Sequence, residues 1–160
     1  MIAGTNSGCG KTTVTCAVLQ ALVNRKINVS SFKCGPDYID PMFHKTVIGT
    51  AAYNLDTYLM SNDAVNYLLN KNSGDIAVIE GVMGFYDGFS FTEKGSTHEL
   101  SEITDTDVIL VVNCRGMSLS AMALVKGFKE FRKNNIKGVI FNNLSEKLYG
   151  NFCLLYTSDA

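Results

Sequence analysis

Ten residues near the amino terminus, Gly4 to Thr13 (GTNSGCGKTT), join a glycine-rich turn to Gly-Lys-Thr-Thr. Such a turn leaves backbone N–H groups pointing into one concavity, at the positive end of the helix that follows. A polyphosphate is the anion that fits there. Lys11 would reach its outer phosphates and the Thr12 hydroxyl would complete a Mg²⁺ shell, with Thr5, Ser7, Gly8, Gly10 and Thr13 lining the turn. The spacing is a variant: five residues separate Gly4 from Gly10, and Thr5 holds the position of the first glycine in the strict motif. A flexible Gly/Ser loop capping a helix is the plain alternative. The apolar helical pattern directly after the turn argues against it, and the chain is read as binding a nucleotide.

In parallel α/β sheets ligands sit outside the carboxyl ends of the strands, which directs attention to polar residues at those ends. Lys33, placed after the second expected strand, would be a second cation beside the phosphates, or a strand-end lysine in solvent. The segment Gly-Pro-Asp-Tyr-Ile-Asp-Pro follows it, with Asp37 and Asp40 stiffened by Pro36 and Pro41; a plain turn uses the same residue types. Glu80 comes after four apolar residues, where a nucleotide enzyme places a metal-binding acid, and the alternative is a solvated acid ending a strand. Asp87 stands among Gly81, Gly84 and Gly88, which permit close approach of backbone to a ligand or simply a mobile loop. Asn142 would hydrogen-bond a purine edge or act as a turn residue.

These residues need a scaffold, and the pattern alternates strand and helix. Strands are expected at 1–3, 27–32, 75–79, 107–112 and 138–141, and helices at 11–25 and 118–131. The run 108–112 is apolar throughout, as for a strand buried on both sides. Ser96-Thr97-His98-Glu99 has the form of a capping box opening a short helix. The fold class is α/β: a mostly parallel sheet with helices on both faces, as in P-loop NTPases. Residues 1–152 read as one domain truncated at both ends, because the first strand has three residues where five or six are usual. Residues 153–160 (CLLYTSDA) break the pattern and read as an artefactual tail.

At 160 residues, 46% of them apolar, the chain can build one core. A net charge of −1 argues against a nucleic-acid groove or a membrane-surface patch, and the longest apolar runs are strand-sized. No signal peptide is expected. Five cysteines, odd in number and never spaced Cys-x-x-Cys, suit reduced thiols in a cytoplasm rather than disulfides or zinc. The two histidines, His44 and His98, read as surface or capping residues.

Taken together, GTNSGCGKTTVT, FKCGPDYIDPMFH, YNLDTYLM, EGVMGFYDG, GSTHEL, CRGMSLSA and GVIFNNL resemble the amino-terminal synthetase domain of the cobyrinic acid a,c-diamide synthase family, from Ile2 to about Leu144. Dethiobiotin synthetase is similar in its phosphate turn and in the lysine after the second strand. Cobyric acid synthase lacks the Gly-Pro-Asp-Tyr-Ile-Asp-Pro segment. The resemblance implies ATP-dependent amidation, in which a carboxylate of a corrin-type macrocycle attacks the γ-phosphate and ammonia then displaces phosphate from the acyl phosphate. It implies ATP and Mg²⁺ as cofactors, with Thr12, Asp37 and Glu80 at the metal and Lys11, Lys33, Asp40 and Asp87 in catalysis. Tyr38, Ile39, Asp40 and Asp87 would shape the substrate site, and Asn142 would read adenine.

The implied partners are a corrinoid or related tetrapyrrole and ammonia from a glutaminase domain, which is expected to be missing here: the one cysteine between two glycines, Cys9, belongs to the phosphate turn. Neither nucleic acid nor membrane is an expected partner, and a homodimer is compatible with the reading. A nickel-sirohydrochlorin a,c-diamide synthase would share the motifs around ATP. A partition-type ATPase switch would want a lysine where Asn6 stands.

Overall fold

The structure, a computed structural model, describes residues 1–146, 148–150 and 152. The expected tail at 153–160 lies outside them. Among the described residues six strands form one sheet: β1 (Ile2–Gly4), β2 (Val29–Cys34), β3 (Ala51–Leu55), β4 (Ile76–Glu80), β5 (Val108–Asn113) and β6 (Ile136–Asn142). They are ordered β3-β2-β4-β1-β5-β6 and every pairing is parallel, so the expected mostly parallel sheet is parallel throughout.

Strand side chains alternate between faces, and the core divides accordingly. Ile2, Val29, Val78 and Val111 pack on one face against Val14, Leu19 and Leu22 of helix α1 (Lys11–Asn24). Ala3, Phe32, Ile79, Leu110 and Val112 face the other way. They meet Val65 of α3 (Asn62–Asn72), Leu100 of α4 (Thr97–Ile103) and Ala121 and Val125 of α5 (Leu119–Glu130). Helices on both faces explain why the central strands read as apolar runs. The run 108–112 is buried except at Ile109, which is 38% exposed beside the bare backbone of Gly138 on the edge strand β6.

Three expectations require correction. The second strand runs two residues further than 27–32, so Lys33 and Cys34 lie within β2. The segment after it is a short helix, α2 (Ile39–Phe43), continued by a π-helical turn at His44–Ile48, and then β3. Neither β3 nor α3 was expected. The capping box is half formed: Ser96 Oγ accepts from Glu99 N at 3.0 Å, but the Glu99 carboxylate accepts from Gly95 N and the Thr57 hydroxyl.

Cys34 points into the second core, and burial pushes its thiol up to about 12. A thiol so placed is inert. Iodoacetamide at about pH 8 is expected to leave Cys34 unmodified in the folded chain and to alkylate it after unfolding, as read by peptide mass mapping. Alkylation at the same rate in both states would contradict the packing.

Candidate functional site

The phosphate turn follows β1 and hands over to α1 through Gly10, whose φ of 104° is a left-handed conformation that glycine tolerates. A Cβ on Gly10 would also collide with the Asn142 side-chain amide. No acidic residue occupies the first turn of α1, so its free N–H groups keep their positive end for an anion. Thr5, Ser7, Gly8 and Thr13 lie along the rim, all but the half-buried Thr5 exposed. Lys11 is buried, and its Nζ donates to Asn6 O at 3.1 Å and Met83 O at 2.6 Å, arching back over the turn. Burial lowers its pKa below the ordinary lysine value.

Sheet register assembles the charged centre. Lys33 on β2 stands level with Glu80 on β4 and with Asn54 on β3. Lys33 shares the α1 face with Val29, and Glu80 shares it with Val78. Lys33 Nζ donates to Glu80 Oε1 at 2.9 Å and to Asp40 Oδ2 at 2.6 Å, with Asp37 Oδ2 at 3.8 Å. Thr12 Oγ1 donates to the same Glu80 Oε1 at 2.6 Å. Five residues from five elements or loops thus meet around one ammonium and one carboxylate.

Their electrostatics follow from enclosure and pairing. Burial would depress Lys33, but the Glu80 and Asp40 carboxylates outweigh it and hold the ammonium above the ordinary lysine value. Asp40 resists its own burial through the Lys33 bond and lies below the usual carboxylate range. Glu80 is fully enclosed, and burial raises its pKa against the opposing pull of Lys33 and Thr12. The opposite directions at the two acids reflect depth: Asp40 keeps part of its solvent and Glu80 keeps none.

The remaining expected residues fall at the periphery. Tyr38 and Ile39 are 80% and 74% exposed on the outer side of α2. Asp87 is exposed on the loop beyond β4, its Oδ2 accepting from Gly84 N at 3.0 Å, and its charge is felt at Lys11. Asn142 ends β6, and its Nδ2 donates to Cys9 O at 2.9 Å, fastening the phosphate turn to the edge strand. Asn142→Ala is expected to cost about 1 kcal/mol of stability by orphaning the Cys9 carbonyl, read as a lowered denaturant midpoint; an unmoved midpoint would exclude that tether.

Other functional groups escaped the sequence reading. Asn54 Nδ2 donates to Gly35 O at 2.8 Å and fixes the loop carrying Asp37. Thr97 Oγ1 both accepts from Val82 N and donates to Val82 O, pinning the loop beyond Glu80. Neither histidine is a surface residue: both are buried, and His44 sits beneath Glu80 with its Nδ1 2.8 Å from Ser31 Oγ. A polar contact made across a fold leaves no periodic trace in sequence, so no local signal marked either one.

Among the described residues no group of three His, Cys, Asp or Glu side chains is arranged to hold a metal. Mg²⁺ needs fewer, since it takes one or two protein oxygens and completes its shell with phosphate and water. The Thr12 hydroxyl and Glu80 carboxylate are hard oxygen donors side by side at the phosphate turn, and they fit that requirement. None of the helices among the described residues is long and apolar enough to cross a membrane.

Residues 1–152 match the family model described as the CobQ/CobB/MinD/ParA nucleotide binding domain. The cobyrinate a,c-diamide synthase of Thermoplasma volcanium is 49% identical over 147 residues, covering 91% of this chain and 32% of that protein. The same enzyme of Priestia megaterium is 46% identical over 151 residues, covering 92% and 33%. That of Methanocaldococcus jannaschii is 44% identical over 145 residues, covering 89% and 32%. The chain spans about a third of the length of the curated relatives it matches.

Proposed function

The chain belongs to the CobQ/CobB/MinD/ParA nucleotide-binding domain family, and we propose that it is the ATP-dependent part of a cobyrinate a,c-diamide synthase, a carbon–nitrogen ligase of cobalamin biosynthesis. The observation that carries this reading is Lys33, an ammonium held between Glu80 and Asp40 next to a phosphate turn. A partition-type switch would carry its second lysine in the phosphate turn, where Asn6 stands, whereas here the second cation comes from β2. A ligase that brings a carboxylate up to a γ-phosphate must offset the repulsion between two anions, and a fixed lysine does so.

The residues divide the work as follows. The N–H groups of the turn bind the phosphates, and Lys11 swings from the Asn6 and Met83 carbonyls to the outer phosphate oxygens. Thr12 and Glu80 would hold Mg²⁺, with Asp37 beside them, and the bound cation would neutralise charge on the phosphates. Lys33 orients the acetate carboxylate and screens it from the phosphate. A carboxylate oxygen forms the new bond to γ-phosphorus as the bond to the β-bridging oxygen breaks, giving an acyl phosphate and ADP. Ammonia, from glutamine hydrolysed in a separate domain, adds to the acyl carbon, and phosphate leaves with the carbon–oxygen bond. The products are a carboxamide, ADP and phosphate. Tyr38, Ile39, Asp40 and Asp87 would border the macrocycle, and Asn142 would face the adenine. The free thiols at Cys9, Cys16, Cys34 and Cys114 support a cytoplasmic setting.

The test is incubation of the protein with ATP, ammonium and candidate tetrapyrroles, with product mass as readout. Conversion of two carboxylates to carboxamides on cobyrinic or hydrogenobyrinic acid, with one ADP per amide, is expected. ATP consumption without any amide, in folded protein, would reject the reading.

A further inference from the structure

Three side-chain atoms are fully buried without a hydrogen-bond partner among the described residues, and two of them face each other: His44 Nε2 and Glu80 Oε2, 3.6 Å apart. A water cannot sit directly between them, since it needs about 2.8 Å to each side. It closes to a direct hydrogen bond with a movement of about 0.5 Å, the amplitude of ordinary thermal motion. Neither atom has another hydrogen-bond partner among the described residues, and leaving both desolvated is costly.

We propose that His44 is a positioning residue for Glu80, donating from Nε2 to Oε2 and so completing a buried Ser31–His44–Glu80 chain that aims Oε1 at Thr12 and the phosphate turn. The inference rests on the reading of Glu80 as the acid beside the phosphates and extends it by one layer. The tautomer follows from the partners. Glu80 Oε1 already accepts from Lys33 Nζ and Thr12 Oγ1, the pattern of a carboxylate, and a carboxylate offers Oε2 only as an acceptor. Nε2 must therefore carry the proton, and Nδ1 accepts from the Ser31 hydroxyl at 2.8 Å.

The local fold explains how a histidine comes to lie there. Ser31 and Lys33 are two apart on β2 and so share the face on which Glu80 also lies. The π-helical turn at His44–Ile48 lets His44 follow α2 directly and face inward, with its carbonyl accepting from Thr50 N at 3.2 Å. Such single π-turns recur where a side chain must be aimed. Partners behind a metal-binding group tune it strongly, by about 10- to 100-fold in metal affinity.

Calorimetry of ATP binding, with Mg²⁺ and in EDTA, tests this on the full chain and on His44→Phe and His44→Gln. The glutamine amide places a donor near the position of Nε2, whereas phenylalanine only fills the volume. His44→Phe is expected to weaken Mg·ATP about tenfold and leave metal-free ATP unchanged, with His44→Gln recovering to within about threefold. Equal weakening with and without Mg²⁺, or no weakening, would overturn the proposal. Should His44→Phe not fold, nitrogen NMR of the unaltered chain decides: an Nε2-protonated ring supports the proposal and an Nδ1-protonated ring rejects it. Failure of the unaltered chain to bind ATP at all would reject the nucleotide reading itself, a result distinct from these.

Discussion

Lys11→Ala is expected to cut ATP-dependent amidation on the order of 10²–10³-fold, the loss seen when one preorganised donor to a developing anion is removed. The fold should survive. In the unaltered chain Lys11 Nζ binds two loop carbonyls, Asn6 O and Met83 O, and both lie at the concavity where water can replace the ammonium. The stability change is therefore expected near 1 kcal/mol rather than the several that a core charge would carry. Lys11→Arg should not restore activity. The lysine stem is threaded against Gly4, where an added Cβ would come within 2.8 Å of Lys11 Cγ and 2.9 Å of Cδ. A planar guanidinium cannot follow that path and then present one point charge to a phosphate. The check is turnover with ammonium as nitrogen donor, beside a melting curve; full activity in a folded Lys11→Ala chain would remove the phosphate turn from the mechanism.

The phosphate turn was legible because it is local: ten consecutive residues carry glycine conformations, helix start and cation together. The central strands were legible because they are covered on both faces and cannot hide their apolar character. β3 was not, since an edge strand of Ala-Ala-Tyr-Asn-Leu is half exposed and has too few β-branched residues to stand out. α3 carried a readable sign in Ser61, whose hydroxyl caps Ala64 N, ahead of Val65, Leu68 and Leu69. Lys33 and Glu80 were recognisable as polar residues near strand ends, but their pairing depends on register between strands 47 residues apart. The histidines failed for a related reason: a buried polar residue and a capping residue look alike until its partners are known, and Ser31 and Glu80 lie far from His44 in the chain. The roles of Tyr38, Ile39 and Asp87 at a substrate remain part of the proposal, since the first two face solvent and the third closes its own turn.

Lys33→Met should be the most destabilising single change at the site. It leaves Glu80 wholly enclosed with no cation beside it, only the neutral Thr12 hydroxyl and the His44 ring, and brings Asp40 and Glu80 together as unscreened like charges. Removing one partner of a buried pair costs about 3–5 kcal/mol, far beyond what the ion pair contributes net. The loss should depend on pH with a definite sign. The pKa of Glu80 is raised in the folded state, so its protonated form is favoured there, and taking away Lys33 strengthens that preference. A group with a raised folded pKa favours folding below its unfolded value and loses that contribution as pH rises through the folded one. The deficit of Lys33→Met relative to the unaltered chain should therefore be smallest in the acid range of ordinary carboxylates and widen toward neutrality. Adding Glu80→Gln removes the stranded charge, and the double variant should recover part of the stability while remaining unable to amidate. Denaturant midpoints across pH for the four chains of this cycle are the measurement. A deficit independent of pH, or a double variant no more stable than Lys33→Met, would mean that the ammonium is not what keeps Glu80 charged in the sheet.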